Sequence, residues 1–198
     1  MEAATRPPIV NITGERVALG PLRRDLIPLY LRWRNDFYVA RTTGDLPQPK
    51  AKEHSEAWYE QAATSSDAYW FTIYEIASWQ PIGRTDLFQI DMRYRTAYFG
   101  VTIGESDGRG KGYGTETTRL MLDYAFTALG LHNVMLEVSE YNLAGRRAYE
   151  KAGFREIGRR RQADLLQGRL WDLILMDCIS TEFDSPVLGK IFAPDVER

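Results

Sequence analysis

Residues 107–114 read DGRGKGYG, with glycine at 108, 110, 112 and 114 between two segments that carry regular patterns. Glycine loses more backbone freedom on ordering than any other residue, so four in eight positions need a physical reason. Anion binding supplies one at a strand-to-helix junction. Without side chains in the way, backbone N–H groups come within reach of a phosphate, and the positive end of the following helix adds to the attraction. Spacing separates the competing designs. A P-loop requires glycine at 105 and Ser or Thr at 112, where this chain has Glu105 and Gly112. A dinucleotide fingerprint, G-x-G-x-x-G, begun at Gly108, Gly110 or Gly112 would end on Tyr113, Thr115 or Thr117. The pattern that fits is R-x-x-G-x-G, Arg109-x-x-Gly112-x-Gly114.

Before the loop, three aromatic and β-branched runs, Tyr69 to Ile76, Ile82 to Ile90 and Thr96 to Ile103, are joined by short polar links and read as an antiparallel meander. A short strand near Arg16 to Leu19 precedes them. Helical patterns lie between, with Leu26, Leu29, Tyr30 and Trp33 on one face and helix-forming composition over Ala51 to Ala63. After the loop, Leu120, Met121, Tyr124, Ala125 and Leu129 predict a helix over Thr115 to Leu129, closed by Gly130. Val134 to Val138 reads as a strand and Leu143 to Lys151 as a helix stopped by Gly153. Phe154 to Ile179 reads as a hairpin turning at Gln167-Gly168. This order predicts an α/β protein with a mixed, mostly antiparallel central sheet of about seven strands and flanking helices. One domain is expected over residues 1–180, its first 14 a loose arm, with 181–198 a tail or added arm.

Composition excludes several classes. Twenty-five Lys and Arg against 27 Asp and Glu give a net charge of -2, so no footprint for nucleic acid or an anionic membrane is present. No apolar run approaches the roughly 20 residues that span a bilayer, and MEAATRPPIV lacks the pattern of a secretory leader, which predicts a cytoplasmic protein. Cys178 sits alone in an apolar run and reads as a buried, inert thiol. His54 and His132 have no second ligand at metal spacing, so no metal is expected.

The chain resembles the GNAT N-acetyltransferase superfamily, whose members hold the pyrophosphate of acetyl-CoA with the R-x-x-G-x-G pattern. Asn142-Leu143-Ala144-Gly145-Arg146-Arg147-Ala148-Tyr149-Glu150-Lys151-Ala152-Gly153-Phe154 is similar to the later N-x-x-A-x-x-x-Y-E-K-x-G-F segment of that family. Leu19-Gly20-Pro21-Leu22 with Leu31-Arg32-Trp33-Arg34-Asn35-Asp36, and Arg169 to Met176 near the end, resemble the RimJ/RimL-type group. The likeness spans roughly residues 16–180. It implies the GNAT (acyl-CoA N-acyltransferase) fold and direct acetyl transfer from acetyl-CoA to a primary amine. The acceptor, a protein N-terminus, a polyamine or another small amine, stays open, and a homodimer is implied.

The resemblance also implies site residues. Val101, Thr102 and Ile103 should line the pantetheine, and Arg109, Gly110, Lys111, Gly112, Tyr113, Gly114 and Thr115 should hold the pyrophosphate. Asn142 should face the cosubstrate, although it also suits a helix N-cap. Tyr149, two turns beyond Asn142, should protonate the departing thiolate. Trp33, Phe88, Tyr98 and Trp171 are the expected walls of an acceptor pocket. One departure stands out. Much of the group has A-E-I-G-Y before the loop, its glutamate assigned as base; this chain has Ala97-Tyr98-Phe99-Gly100-Val101, with Tyr98 in that place. The base then lies elsewhere, acts through water or is not needed; Asp86 and Glu137, on strands, are candidates for it, but each is expected rather to be an exposed, salt-bridging carboxylate. Loss of that glutamate keeps an alternative open, a non-catalytic acyl-CoA-binding or regulatory module on the same fold.

Overall fold

The computed structural model describes residues 8–44 and 46–196. Eight strands form one sheet: β1 (Ile12–Thr13), β2 (Val17–Pro21), β3 (Tyr69–Glu75), β4 (Pro81–Asp91), β5 (Thr96–Ile103), β6 (Asn133–Ser139), β7 (Arg155–Leu166) and β8 (Arg169–Ile179). Their order is β1-β2-β3-β4-β5-β6-β8-β7, and every neighbouring pair is antiparallel except β5 with β6. Six helices accompany them: α1 (Ile27–Asn35), α2 (Phe37–Thr43), α3 (Lys52–Ala63), α4 (Tyr113–Asp123), α5 (Leu143–Ala152) and α6 (Leu188–Ile191).

The alternation along β3 assigns the two faces of the sheet. Thr72 hydrogen-bonds Tyr30 of α1 and Trp70 packs edge-on against Trp58 of α3, so α1 and α3 cover one face. Phe71 packs against Tyr124 at the end of α4, which covers the other. That second face holds the main core, with Leu19, Ile73, Leu87, Leu120, Met121, Leu122, Leu131 and Ile174 nearly or wholly buried. Burying each of these side chains contributes on the order of 2 kcal/mol, which is why the apolar stripe of α4 faces the sheet.

The parallel pair is the feature that makes room for a site. β5 and β6 pair only at Thr96 with Asn133, Ala97 with Val134, and Tyr98 with Met135, although the strands run on to Ile103 and Ser139. Among the described residues the β6-facing edge of β5 makes no ladder pair from Phe99 onward, so its amides and carbonyls are open to a partner from outside the sheet.

Two expectations need adjusting, the start of the helix after the glycines and the extent of the N-terminal arm. The helix after the glycines begins at Tyr113, two residues early, and its last turn, Tyr124–Ala128, widens so that the Leu129 amide donates to the Tyr124 carbonyl. Residues 1–7 of the expected arm lie outside the described residues, while Ile12–Thr13 form a strand paired with β2. The segment after β8 packs on its own chain. Buried Asp123 accepts from the Ser185 and Thr127 hydroxyls and from the amides of Val187 and Leu188, capping α6, and Phe183 packs on Phe126. The Gln167-Gly168 turn has φ of 53° and 73°, the left-handed pair that a tight hairpin needs. Among the described residues no helix is long and apolar enough to cross a membrane.

Candidate active site

The glycine loop is fastened from outside. Gly110 and Gly112 take φ of 73° and 84°, which turns the chain from a short helical turn at Ser106–Gly108 directly into α4. The Arg109 guanidinium donates to the Gly104 carbonyl at 3.0 Å and to Asp36 at 3.3 Å, and lies 4.4 Å over the Tyr38 ring. On the other flank Arg16 donates to the Lys111 carbonyl and pairs with Glu116, whose carboxylate also accepts the amides of Glu15 and Arg16. The first amides of α4, which a helix leaves without internal partners, belong to residues that line a groove.

That groove, of about 350 Å³, runs between the open edge of β5, the loop and α5. Val101, Thr102, Ile103, Arg109, Gly110, Gly112, Tyr113, Gly114, Thr115, Asn142 and Tyr149 all line it. Lys111 does not: its ammonium turns to the far side of the loop, 4.0 Å from Glu75, because its neighbours with φ above zero reverse the chain there. A Cβ built on Gly114 would have its nearest neighbour, Ile103 Cγ1, at 4.0 Å, so the space beside Gly114 is free for a ligand. Asn142 caps α5, its side-chain oxygen accepting the Gly145 amide at 3.0 Å, while it also lines the groove.

A second recess, of about 660 Å³, opens where β5 and β6 part. Thr42, Thr43, Val101, Thr102 and Tyr149 line both spaces. Phe88 and Tyr98 are in its wall, stacked with centroids 5.6 Å apart. Trp33 and Trp171, expected with them, are elsewhere. Trp33 is buried under Gly104 and donates to Glu105; Trp171 packs on Tyr141 and under Arg169. Among the described residues, three carboxylates line the recess: Glu137, paired with Arg160 at 3.3 Å; Asp164, hydrogen-bonded by the Ser139 hydroxyl; and Asp86. A bulge between Arg160 and Asp164 brings these β7 residues inward.

Known proteins place the chain in a family. The family model for the acetyltransferase (GNAT) domain matches residues 16–155. The chain belongs to the GNAT acetyltransferase family. It is 31% identical over 168 residues to the probable N-acetyltransferase YjcK of Bacillus subtilis (strain 168), covering 84% of this chain and 87% of that protein. It is 31% identical over 102 residues to spermidine N(1)-acetyltransferase of Vibrio cholerae serotype O1, covering 52% and 58%. The crystal structure of spermidine N-acetyltransferase from Vibrio cholerae in complex with CoA and spermine superposes with a TM-score of 0.78 at 24% identity, over 84% of this chain and 97% of that one, a likeness of fold. Family membership makes this an acetyl-CoA-dependent N-acetyltransferase, with an amine as acceptor.

Electrostatics divide the acetyltransferase's titratable groups. Tyr149 packs edge-on against Phe99 and Phe154; it keeps some surface on the groove, but burial, with the nearby Asp86 charge, pushes its pKa up to about 12. At neutral pH it is a phenol with a proton to give. Asp86 is only 9% exposed, and burial pushes it up to about 7 against the opposing pull of Arg84. The expected description, an exposed salt-bridging carboxylate, holds for Glu137 and fails for Asp86. Cys178 is buried in the sheet with its thiol pushed up to about 11 by burial, which leaves it protonated and poorly nucleophilic. Sequence patterns alone missed α2, whose Tyr38, Thr42 and Thr43 wall the groove, as well as Arg84 and Asp164. No local signal pointed to them, since each reaches the site through long-range packing.

Proposed function

We propose that this acetyltransferase moves the acetyl group of acetyl-CoA directly onto a primary amine of a small cationic acceptor, a polyamine being the favoured class, through a tetrahedral intermediate. The observation that carries the reading is that a groove suited to the pantetheine and a carboxylate-bearing recess suited to an ammonium meet at one phenol, Tyr149. The open edge of β5 over Val101, Thr102 and Ile103 offers ladder groups to the pantetheine amides, much as a sheet edge accepts an extra strand. The amides from Arg109 to Thr115 take the pyrophosphate at the start of α4. Arg109 contributes by holding the loop and lending charge, and Asn142 by orienting α5. A β5 amide stabilises the developing oxyanion. Tyr149 protonates the leaving sulfur.

Among the described residues three carboxylates stand against two guanidiniums, Arg84 and Arg160, in the recess, and with the rings of Phe88 and Tyr98 in its wall this balance favours a cation. The spermidine N(1)-acetyltransferase among the relatives agrees with this reading. The finer placement among RimJ/RimL-type enzymes rests on the Leu31 to Asp36 and Arg169 to Met176 motifs. A homodimer also belongs to the proposal, with the exposed edge strand β7, carrying Ile157 and Leu165, as its contact. The test is thiol release from acetyl-CoA with spermidine, spermine, a monoamine, an amino sugar and a peptide N-terminus. Turnover highest with the polyamines supports the reading; turnover confined to the peptide or the sugar replaces the acceptor class; tight CoA binding with no thiol release from any amine favours a binding module.

A further inference from the structure

One of the carboxylates that favour a cation in the recess, Asp86, is buried, and the chemistry above gives it no proton transfer. Asp86 sits on β4 directly across from Gly100 of β5, and a Cβ on Gly100 would lie 2.9 Å from its Oδ1. The missing side chain is what gives the carboxylate its place. Asp86 is paired through its backbone in the β3–β4–β5 ladders, but among the described residues its carboxylate makes no hydrogen bond. Glu137 and Asp164, in contrast, are held by Arg160 and Ser139. Among the described residues, the charged and titratable groups around the same space are Arg84, Tyr98, Glu137, Tyr149, Arg160 and Asp164. Of these, Arg84 is stacked against the rings of Trp58 and Trp70 at 4.9 and 5.3 Å, so its charge is anchored along the wall. Asp86 and Tyr149 line one space, close enough for the Asp86 charge to help raise the Tyr149 pKa.

We propose that Asp86 is the general base of the acetyl transfer, standing in from the neighbouring strand for the glutamate that Tyr98 replaces. The inference rests on the acetyl-transfer reading above. The Asp86 carboxylate takes one proton from the acceptor's R-NH3+, leaving R-NH2. The nitrogen lone pair attacks the thioester carbon; the C–N bond forms and the carbonyl π pair moves onto oxygen. When the carbonyl reforms, the C–S bond breaks, its pair goes to sulfur, and sulfur takes the Tyr149 proton. The second proton lost by nitrogen restores the Tyr149 phenol, and Asp86 returns its own to solvent. R-NH3+ and acetyl-CoA thus give the amide, CoA thiol and one proton. A carboxylate that titrates near neutrality suits this role, because it is ionised often enough to accept and basic enough to compete for the ammonium proton.

The experiment compares wild type with Asp86→Asn across pH, using the amine of the panel that wild type acetylates fastest and 2,2,2-trifluoroethylamine, whose ammonium loses its proton below neutral pH. With the basic amine, Asp86→Asn should lower kcat/KM by about 10²-fold and abolish the acidic limb, with acetyl-CoA affinity unchanged as the check on folding. With trifluoroethylamine the deficit should shrink toward nothing. An equal deficit with both amines would assign Asp86 to shaping the pocket and overturn the proposal. So would an Asp86→Asn enzyme with full rate and an intact acidic limb. As a readout independent of turnover, the carboxyl 13C resonance lost in Asp86→Asn should titrate near 7 in the wild-type protein; titration at about 4, an ordinary aspartate value, would also overturn the proposal. A wild-type enzyme that releases no thiol with any amine is a different failure, that of the acetyl-transfer reading itself.

Discussion

Asp86 and Gly100 face each other across the β4–β5 ladder, and the absent side chain of Gly100 is the space that the Asp86 carboxylate leans over. Gly100→Ala should therefore displace the carboxylate while leaving the groove for CoA intact. The expected outcome is a drop in kcat/KM of about tenfold or more, the scale set by moving a proton-transfer group out of hydrogen-bond geometry, with acetyl-CoA affinity within about twofold of wild type. Steady-state kinetics beside calorimetric titration checks both halves. An enzyme of normal turnover would show that the carboxylate's position is immaterial.

The burial of Asp86 has a consequence for stability, with a defined sign. Its carboxyl titrates near 7 in the folded protein, above the unfolded value of about 4. Between those values the native state holds a proton that the unfolded chain has released, so stability falls as pH rises through the window. Asp86→Asn should remove this slope and raise Tm relative to wild type at pH 8, by an amount equivalent to at most about 4 kcal/mol. Thermal unfolding of both proteins from pH 5 to pH 8 measures it; parallel curves would refute it.

For the groove, Gly114 is a cleaner probe than Gly112. Gly112 has φ of 84° and would bring a Cβ to 3.1 Å from the Arg16 guanidinium, so substitution there strains the loop whatever it binds. Gly114→Val instead projects into open space where the pyrophosphate is placed. Acetyl-CoA affinity should fall about 100-fold or more with little change in Tm, and Arg109→Ala should cost about tenfold, as expected for one charge-assisted contact. Binding of CoA to Gly114→Val at wild-type strength would displace the cosubstrate from this loop.

Tyr149→Phe keeps the packing against Phe99 and Phe154 and removes only the transferable proton. Turnover should drop by about 10²-fold while acetyl-CoA affinity scarcely moves. Tyr98→Phe keeps the stack on Phe88 and should leave the pH profile as it was. A fast Tyr149→Phe enzyme would end the general-acid assignment, and a lost limb in Tyr98→Phe would move the base to Tyr98.

Asp123 ties the C-terminal segment to the end of α4 through the Val187 and Leu188 amides and the Ser185 hydroxyl, and also accepts the Thr127 hydroxyl. Asp123→Ala strands those donors and should destabilise the fold by about 3 kcal/mol, on the scale of a buried, charged acceptor removed. Limited proteolysis should then cut beyond Ser180 at a protein concentration where the wild type resists. Equal resistance would show that the apolar contacts of Phe183 and Leu188 suffice.

What could be read from the chain directly is what depends on near neighbours. The left-handed turns at Gly110, Gly112 and Gly168, the Asn142 cap with Tyr149 two turns later, and the alternating strands of the meander are local consequences of residue type. They carried the fold, the groove and the family resemblance. The acceptor recess was not legible in this way. It depends on the point where β5 and β6 stop pairing, on the register that sets Asp86 against Gly100, and on a β7 bulge that turns Arg160 and Asp164 inward. Trp33 and Trp171 look like pocket walls in the sequence, yet packing places one under Gly104 and the other against Tyr141. Asp86 looks like any strand carboxylate until burial is known. Dihedral preference and periodicity act over a few residues, whereas desolvation and the meeting of groups from β4, β5, α2 and α5 exist only once the sheet has closed around them.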